Sequence, residues 1–153
     1  MKKELIDIGN KSKKAIASQL NSKKKNKVLK DYCDLIKKNK KFIINQNKKD
    51  VFNAQKKSLK KNLIDRLILN EKKILNIINS IKSIIKLKDP TNIVLEKWKR
   101  PNGLNISKIS IPIGVISVIY ESRPNVTSDV ASLCFKSGNS VILKGGTEAF
   151  YSN

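Results

Sequence analysis

The stretch PIGVISVIYESRPNVTSDVASLCFKSGNSVILKGG, residues 112–146, decides the fold predicted for this chain. Residues 113–120 form an apolar run rich in β-branched side chains, which is typical of a strand buried on both faces. A loop over residues 121–126 follows, and Thr127 or Ser128 is expected to cap a helix that ends near residue 136. Residues 140–143 predict a second short strand. The stretch therefore predicts a β–loop–α–β unit whose strands are parallel and joined by a right-handed crossover.

The carboxyl ends of these two strands indicate a binding site. In an open parallel sheet, ligands bind beyond those ends, which here are residues 121–126 and 144–148. The first loop opens a helix, whose N-terminal N–H groups favour anions. Arg123 and Lys144 would add positive charge, and the two glycines that follow would let a ligand lie against the backbone. The pattern indicates half of a nucleotide or phosphate site; a strand-end Lys144 that merely reaches solvent is the alternative.

The first ninety residues predict amphipathic helices that carry no chemistry of their own. Apolar residues recur at helical spacing within residues 3–20 and again from Phe42 to residue 54. Ser22 is the expected N-cap of a second helix, Ser58 that of a short fourth helix, and Asn70 begins a fifth. The lysines along these helices are interpreted as outer, solvated faces.

The period changes from helical to alternating after the Asp89-Pro90 break. Residues 93–98 and 104–111 predict two strands of a hairpin that turns at residues 100–103. Lys, Glu and Trp are mixed along the first strand, which indicates one wet face and an arm that projects from the body.

The net charge of +21 over 153 residues is concentrated in the helical part, because residues 1–100 carry +20 of it. Such asymmetry can mark a nucleic-acid surface. However, only three of the 33 basic residues are arginine, so the bidentate forks that recognise phosphate are scarce. Abundant Lys, Asn and Ile also follow from A/T-rich codons. A solvated basic surface is the favoured interpretation.

Composition also limits the cysteine chemistry and the location. Cys33 and Cys134 lack metal-ligand spacing, and no histidine is available as a base, so both are interpreted as buried packing residues. The longest apolar run, residues 111–120, is about half of what a membrane helix needs. No signal peptide is recognisable. The prediction is a cytoplasmic protein without a metal, membrane or nucleic-acid partner.

The segments VIYESRPNVT and SLCFKSGNSVILKGG resemble gamma-glutamyl phosphate reductase, the glutamate-5-semialdehyde dehydrogenase family of proline biosynthesis. This family lies within the aldehyde dehydrogenase superfamily. The segments NKVLKDYCDLI and NLIDRLIL are similar to the first helices of the family, and KDP precedes its hairpin. The resemblance spans nearly the whole chain and is strongest from residue 112 onward.

The resemblance implies an enzyme that reduces L-glutamyl 5-phosphate with NADPH and releases phosphate and L-glutamate 5-semialdehyde. A cysteine thiolate would attack the acyl phosphate, and hydride transfer to the resulting thioester would yield the aldehyde. Lys144 would contact the adenosine ribose and its 2′ substituent together with Gly145 and Gly146, with Glu148 as a weaker candidate for the ribose. Asn125 would donate to the oxyanion, and Arg123 would contact substrate.

The resemblance also implies an incomplete α/β fold: N-terminal helices plus the start of an aldehyde-dehydrogenase-like Rossmann cofactor domain with a protruding hairpin. Residues 1–91 would be the helical part of the cofactor-binding domain. Residues 92–111 would form an oligomerisation arm, as in a homo-oligomer, and residues 112–153 the first βαβ unit. The nucleophilic cysteine would lie downstream of residue 153, so the chain is expected to be an N-terminal fragment that is inactive alone.

Two alternatives from other classes stay open at this point. The first is a basic helical nucleic-acid-binding module. The second is a non-catalytic remnant or interaction protein that uses its hairpin arm. Neither accounts for an apolar βαβ unit that ends in Lys-Gly-Gly.

Overall fold

Within residues 2–17 and 20–153, the computed structural model contains six α-helices and four β-strands. The helices are α1 (Lys2–Ala17), α2 (Ser22–Lys38), α3 (Lys40–Lys56), α4 (Lys61–Leu67), α5 (Glu71–Lys86) and α6 (Pro124–Lys136). The strands are β1 (Val94–Lys99), β2 (Asn105–Ile109), β3 (Val115–Ile119) and β4 (Ser140–Lys144), and a short 3₁₀ turn, Thr147–Ala149, follows β4. No helix in these described ranges is both long and apolar enough to cross a membrane.

The core lies where α2 packs against α5. Isoleucines at helical spacing make one face of α5 almost wholly apolar, and burying each such side chain contributes roughly 1.5–3 kcal/mol. Phe135 of α6 packs against the edge of this cluster. The buried residues of the cluster are Leu29, Cys33, Ile36, Leu69, Ile74, Ile77, Ile78, Ile81 and Ile84.

Of the four predicted helix starts, one is confirmed and three differ from the structure. Asn70 caps α5 as predicted, since its side chain accepts a hydrogen bond from the Lys73 N–H at 2.9 Å. The N-cap of α2 is Asn21 rather than Ser22: its extended backbone lets Oδ1 accept from the Lys24 N–H at 2.9 Å. An asparagine is as good an N-cap as a serine, so the sequence alone could not separate the neighbours.

Ser58 was predicted to begin a helix, and this prediction was wrong. Ser58 has a φ of 53° and lies beyond the C-terminal end of α3, where its N–H donates to the Gln55 carbonyl. The short helix α4 begins three residues later, and Lys60, which precedes it, makes no side-chain cap. The serine therefore ends one helix instead of starting the next.

The hairpin of β1 and β2 forms as predicted, with Trp98 opposite Ile106 in an antiparallel register. Its turn is closed by hydrogen bonds from the Arg100 N–H to the Leu104 carbonyl and from the Gly103 N–H to the Arg100 carbonyl. Gly103 has a φ of 86°, which a side chain would strain. Every residue of β1 is exposed, so both of its faces are wet rather than the one that the sequence indicated.

The second sheet pairs β3 with β4 in parallel, and α6 connects them as predicted. The expectation of a strand buried on both faces was wrong, because Ile113 is 85% exposed and Ile119 is 74% exposed. Among the described residues β3 pairs with β4 alone, so its other edge is unpaired as well. The helix also starts earlier than expected: residues 124–126 belong to the first turn of α6, and Gly138, with a φ of 74°, follows its end.

A buried ion pair fixes the segment that leads from the helices into the hairpin. The Lys25 side chain of α2 is 3% exposed, and its ammonium group lies 3.0 Å from both carboxylate oxygens of Asp89 and 3.2 Å from the Thr91 hydroxyl. Burial would raise the pKa of Asp89, but the hydrogen bonds from Lys25 and Thr91 outweigh it and hold that pKa below its usual value. Lys25 is therefore an exception to the interpretation of the helical lysines as solvated.

Replacing Lys25 with Met should destabilise the chain by about 3 kcal/mol, because the Asp89 carboxylate loses its buried counter-charge. Denaturant unfolding measures the change. Lys24→Met is the matched control, since the exposed neighbour should change the free energy of unfolding by less than about 0.5 kcal/mol. Equal effects of the two substitutions would contradict the assignment.

The lowered pKa of Asp89 adds a pH dependence of stated sign. In the unfolded chain this carboxyl protonates at a higher pH than in the folded chain, so its stabilisation is present at neutral pH. That stabilisation should be lost as the pH falls below about 4. The Lys25→Met chain should show a smaller loss of stability over the same range.

Candidate functional site

The turns that follow β3 and β4 meet at one edge of the small parallel sheet. Ile119 is opposite Lys144 in the register, and the Tyr120 N–H continues the ladder by donating to the Lys144 carbonyl at 3.1 Å. The chain then leaves β3 through residues 120–123 and leaves β4 through residues 145–148. The sequence prediction that these two turns lie side by side is confirmed.

Hydrogen bonds from Ser122 to Glu148 join the two turns. Glu148 Oε1 accepts from the Ser122 N–H at 2.5 Å and from the Ser122 hydroxyl at 2.9 Å. Burial would raise the pKa of Glu148, but hydrogen bonds from its own N–H and from both groups of Ser122 lower it below its usual value. The carboxylate is therefore ionised at neutral pH, and it accepts hydrogen bonds from two donors of the first turn.

The space beside the two glycines after β4 is occupied by the ends of two side chains of the same chain. Gly146 has an ordinary φ of −69°, but a Cβ built on it would collide with the Glu148 carboxylate. A Cβ on Gly145 would collide with the side-chain amide of Asn153. Both side-chain ends can move, so the expectation that a ligand lies against the backbone of these glycines stays a prediction.

The segment that carries Glu148 is anchored to α3. The Asp50 carboxylate, which belongs to a residue 2% exposed, accepts from the N–H groups of Tyr151 and Ser152 at 3.0 and 2.8 Å. The Asn47 amide donates to the Ser152 hydroxyl at 2.9 Å. Because buried backbone N–H groups need partners, these contacts hold residues 147–153 in one place over the sheet edge.

Arg123 is the residue before α6 and is exposed. Its φ of −138° and ψ of 79° keep it outside the helical region, as Pro124 at the first helical position requires. Neither expected cap is the N-cap, because the helix begins three or four residues before them. Thr127 instead hydrogen-bonds the Tyr120 hydroxyl at 2.6 Å, and Ser128 hydrogen-bonds the Tyr32 hydroxyl at 2.8 Å.

Asn125 lies in the first turn of α6 rather than in a loop. Its amide donates to Asp129 Oδ2, one helical turn along, at 3.1 Å, and the residue is half-buried. One of its two amide protons is therefore used inside the helix, and the other is the one that could serve an external acceptor. The oxyanion role of Asn125 stays a prediction.

Lys144 ends β4 and is exposed at the same edge of the sheet as Arg123. The two side chains place positive charge around the turns that Glu148 joins. A cavity of about 470 Å³ lies elsewhere, at the amino ends of β3 and β4, where Pro112, Gly138 and Ser140 contribute to its lining. That cavity does not coincide with the predicted site.

The cysteines are placed as packing residues. Cys33 and Cys134 are both buried, and burial raises the pKa of each thiol. The Cys33 thiol lies 3.9 Å from the Ile78 carbonyl inside the α2–α5 core. The part of the chain that the structure describes contains no group of three metal-ligating side chains.

Sequence reasoning missed Ser122, Tyr120 and Thr127 as members of this edge. The Ser122–Glu148 and Tyr120–Thr127 contacts depend on side-chain direction after a strand end, which no spacing rule predicts. The only available signal was the predicted meeting of the two strand ends.

The chain is similar in sequence to curated proteins named gamma-glutamyl phosphate reductase. It is 49% identical to the one from Nautilia profundicola over 90% of this chain and 34% of that protein. It is 45% identical to the one from Clostridium tetani over 100% of this chain and 36% of that protein. The chain thus spans about a third of the length of the curated relatives it matches. No family model matches it.

Solved structures agree with the sequence matches. The crystal structure of gamma-glutamyl phosphate reductase from Thermotoga maritima superposes with a TM-score of 0.94 at 39% identity, over 98% of this chain and 37% of that one. The Saccharomyces cerevisiae enzyme gives a TM-score of 0.91 at 32% identity, over 95% of this chain and 38% of that one. A putative aldehyde dehydrogenase from Bacillus subtilis, 17% identical with a TM-score of 0.69, covering 98% of this chain and 31% of its own, shares the fold. The fold class is therefore the predicted one, with incomplete sheets.

Burial of both thiols leads to a direct test. Under native conditions at pH 8, Cys33 and Cys134 should react with a thiol reagent at least about 100-fold more slowly than free cysteine, because reaction requires local opening. In concentrated guanidinium both should react at once. Fast native labelling of either thiol, followed by absorbance, would mean that this thiol is an accessible nucleophile.

Proposed function

We propose that this chain, a homologue of the gamma-glutamyl phosphate reductases over about a third of their length, builds the first part of that enzyme's cofactor-binding domain. The reaction is the NADPH-dependent reduction of L-glutamyl 5-phosphate to L-glutamate 5-semialdehyde and phosphate in proline biosynthesis. The observation that carries the proposal is the paired edge of β3 and β4, where exposed Arg123 and Lys144 border two joined turns.

The residues at this edge fit a dinucleotide. The Lys144 side chain is exposed at the carboxyl end of a parallel strand, and its ammonium group has no partner among the hydrogen bonds and ion pairs of the described residues. Arg123 precedes a thirteen-residue helix that begins with Pro124, which has no N–H, so the Asn125 N–H is the first that could donate to a phosphate. Cations at this edge suit the 2′-phosphate and ribose of NADPH, so Lys144 would bind there beside the backbone of Gly145 and Gly146.

NADPH, when bound, supplies the hydride. The residues of this chain would bind and orient the cofactor, and Asn125 would direct its remaining amide proton towards the oxygen on which negative charge develops. Arg123 would neutralise phosphate charge on the substrate side of the edge. Neither thiol of this chain is proposed as the nucleophile, because both are buried and burial raises the pKa of each. The nucleophile and the acid–base groups are proposed to lie outside these 153 residues.

The 153-residue chain should show no turnover when incubated with NADP⁺, phosphate and L-glutamate 5-semialdehyde, because the proposed nucleophile lies outside it. The measurement is NADPH absorbance, with a full-length reductase as the positive control. Turnover by this chain alone would overturn the placement of the nucleophile.

In the protein expressed from its complete gene, Lys144→Ala should raise the KM for NADP⁺ by about tenfold, since one charge-assisted contact to the ribose phosphate is lost. The matched control is Lys99→Ala, which removes an exposed strand-end lysine on the hairpin and should leave the KM unchanged. Equal KM values for Lys144→Ala and the unaltered protein would contradict the role of Lys144.

The hairpin of β1 and β2 is proposed to be an arm that contacts a second copy of the protein. Its first strand exposes Leu95 by 56% and Trp98 by 43%, and such aromatic residues are enriched in interfaces. This apolar exposure on both faces is what an arm that becomes covered on assembly would show.

Trp98→Ser should raise the dissociation constant of the assembled protein by about tenfold or more, because a central aromatic anchor is removed. Light scattering over a concentration series measures the change. Lys97→Ser, on the next residue along the same strand, should have little effect. An unchanged assembly for Trp98→Ser would exclude the arm as the contact.

A further inference from the structure

The carboxylate of Glu148 occupies an unusual position for a residue expected to contact a ribose. It points into the turn after β3, and its Oε1 accepts from both donors of Ser122. It also fills the space beside Gly146 where any other residue would place a Cβ. One carboxylate oxygen is therefore committed to holding two turns of this chain together.

Ser122 needs this support because of its backbone. It has a φ of 42°, in the left-handed region that a serine rarely adopts, and it is 4% exposed. A buried non-glycine residue in that region costs about 1–3 kcal/mol unless its surroundings hold it there. Two hydrogen bonds to an ionised carboxylate supply such a hold.

The strained turn determines where the neighbouring residues of the site lie. Ser122 directly precedes Arg123, the residue before α6, and it lies three residues before Asn125. Movement of Ser122 would therefore move the cation and the first turn of the helix together. On the other side, Glu148 lies four residues after Lys144, on a segment anchored to α3 through Asp50.

We propose that Glu148 is a positioning residue that latches the Ser122 turn to the Gly146 turn, and that it acts on cofactor binding through Ser122 rather than through the ribose. The Ser122–Glu148 latch is formed by the Ser122 N–H, the Ser122 hydroxyl, the Glu148 carboxylate and the space above Gly146. The effect on binding rests on the proposed function; the latch itself does not.

A double-mutant cycle separates the latch from direct ribose contact. In the protein from the complete gene, Glu148→Ala should raise the Kd for NADP⁺ about tenfold and Ser122→Ala about threefold. The double variant should bind no more weakly than Glu148→Ala alone, because both changes break one unit. If Glu148 contacts the ribose, Ser122→Ala leaves the Kd unchanged or the two effects multiply, and either result overturns the proposal.

Conservative variants provide controls for misfolding. Glu148→Gln keeps an acceptor oxygen and should recover most of the binding lost in Glu148→Ala. Gly146→Ala should reproduce the loss seen for Glu148→Ala, because its methyl group displaces the carboxylate. Glu121→Ala, an exposed acid at the start of the same turn, should leave the Kd unchanged. If Glu121→Ala weakened NADP⁺ binding as much as Glu148→Ala does, the loss of any negative charge near the site would explain the effect, and the proposal would be overturned.

Thermal unfolding without NADP⁺ tests the latch independently of function. The lowering of the unfolding midpoint by Glu148→Ala and by Ser122→Ala should be non-additive in the double variant, and additive lowering would exclude the latch. If the unaltered protein fails to bind NADP⁺, the proposed function and the effect on binding fall together. Non-additive midpoints would then still establish the Ser122–Glu148 latch as a structural unit.

Discussion

The hydrogen bonds between Ser122 and Glu148 join the two turns on which the interpretation of this chain depends. A parallel pair of strands brings its carboxyl ends to one edge, but the ladder of β3 and β4 ends at the Tyr120 N–H and the Lys144 carbonyl. Beyond that point, only side chains hold the turns together. The Glu148 carboxylate does so while it holds the strained backbone of Ser122 and occupies the space beside Gly146. Backbone strain that is held by its surroundings clusters at functional sites, which is consistent with the binding edge proposed here.

The charge of the chain divides into two physically different classes. Most lysines lie on the solvated faces of the helices, as expected from their amphipathic pattern. Lys25 and Lys136 are 3% exposed, and each connects separate elements: Lys25 to the segment before the hairpin, and Lys136 to the Asn26 side chain and the Ile85 carbonyl. Net charge therefore indicates little about partners here, since the lysines that organise the fold are the buried ones.

The apolar surface left on β3 and on the hairpin is consistent with a chain that spans about a third of its relatives. Ile113 and Ile119 are mostly exposed although residues 113–120 have the pattern of a buried strand, and Leu95 is exposed on the predicted arm. An apolar strand pattern indicates that other elements cover the strand, and the described residues supply only some of those elements. The strand assignments were therefore correct where the burial assignments were wrong.

Local chemistry in the sequence determined the helices, the hairpin, the parallel βαβ unit and the edge at which its turns meet, because periodicity and turn residues act over a few positions. It also indicated that Cys33 and Cys134 are packing residues. The sequence could not predict which residue caps α2, where α6 begins or that Asn125 bonds within its own helix. In each case neighbouring residues had similar propensities, and the backbone geometry decided between them. Only the tertiary structure brought Ser122 to Glu148 and Lys25 to Asp89. The first two residues are separated by 26 positions in the sequence and the second two by 64, so both contacts depend on how whole elements pack.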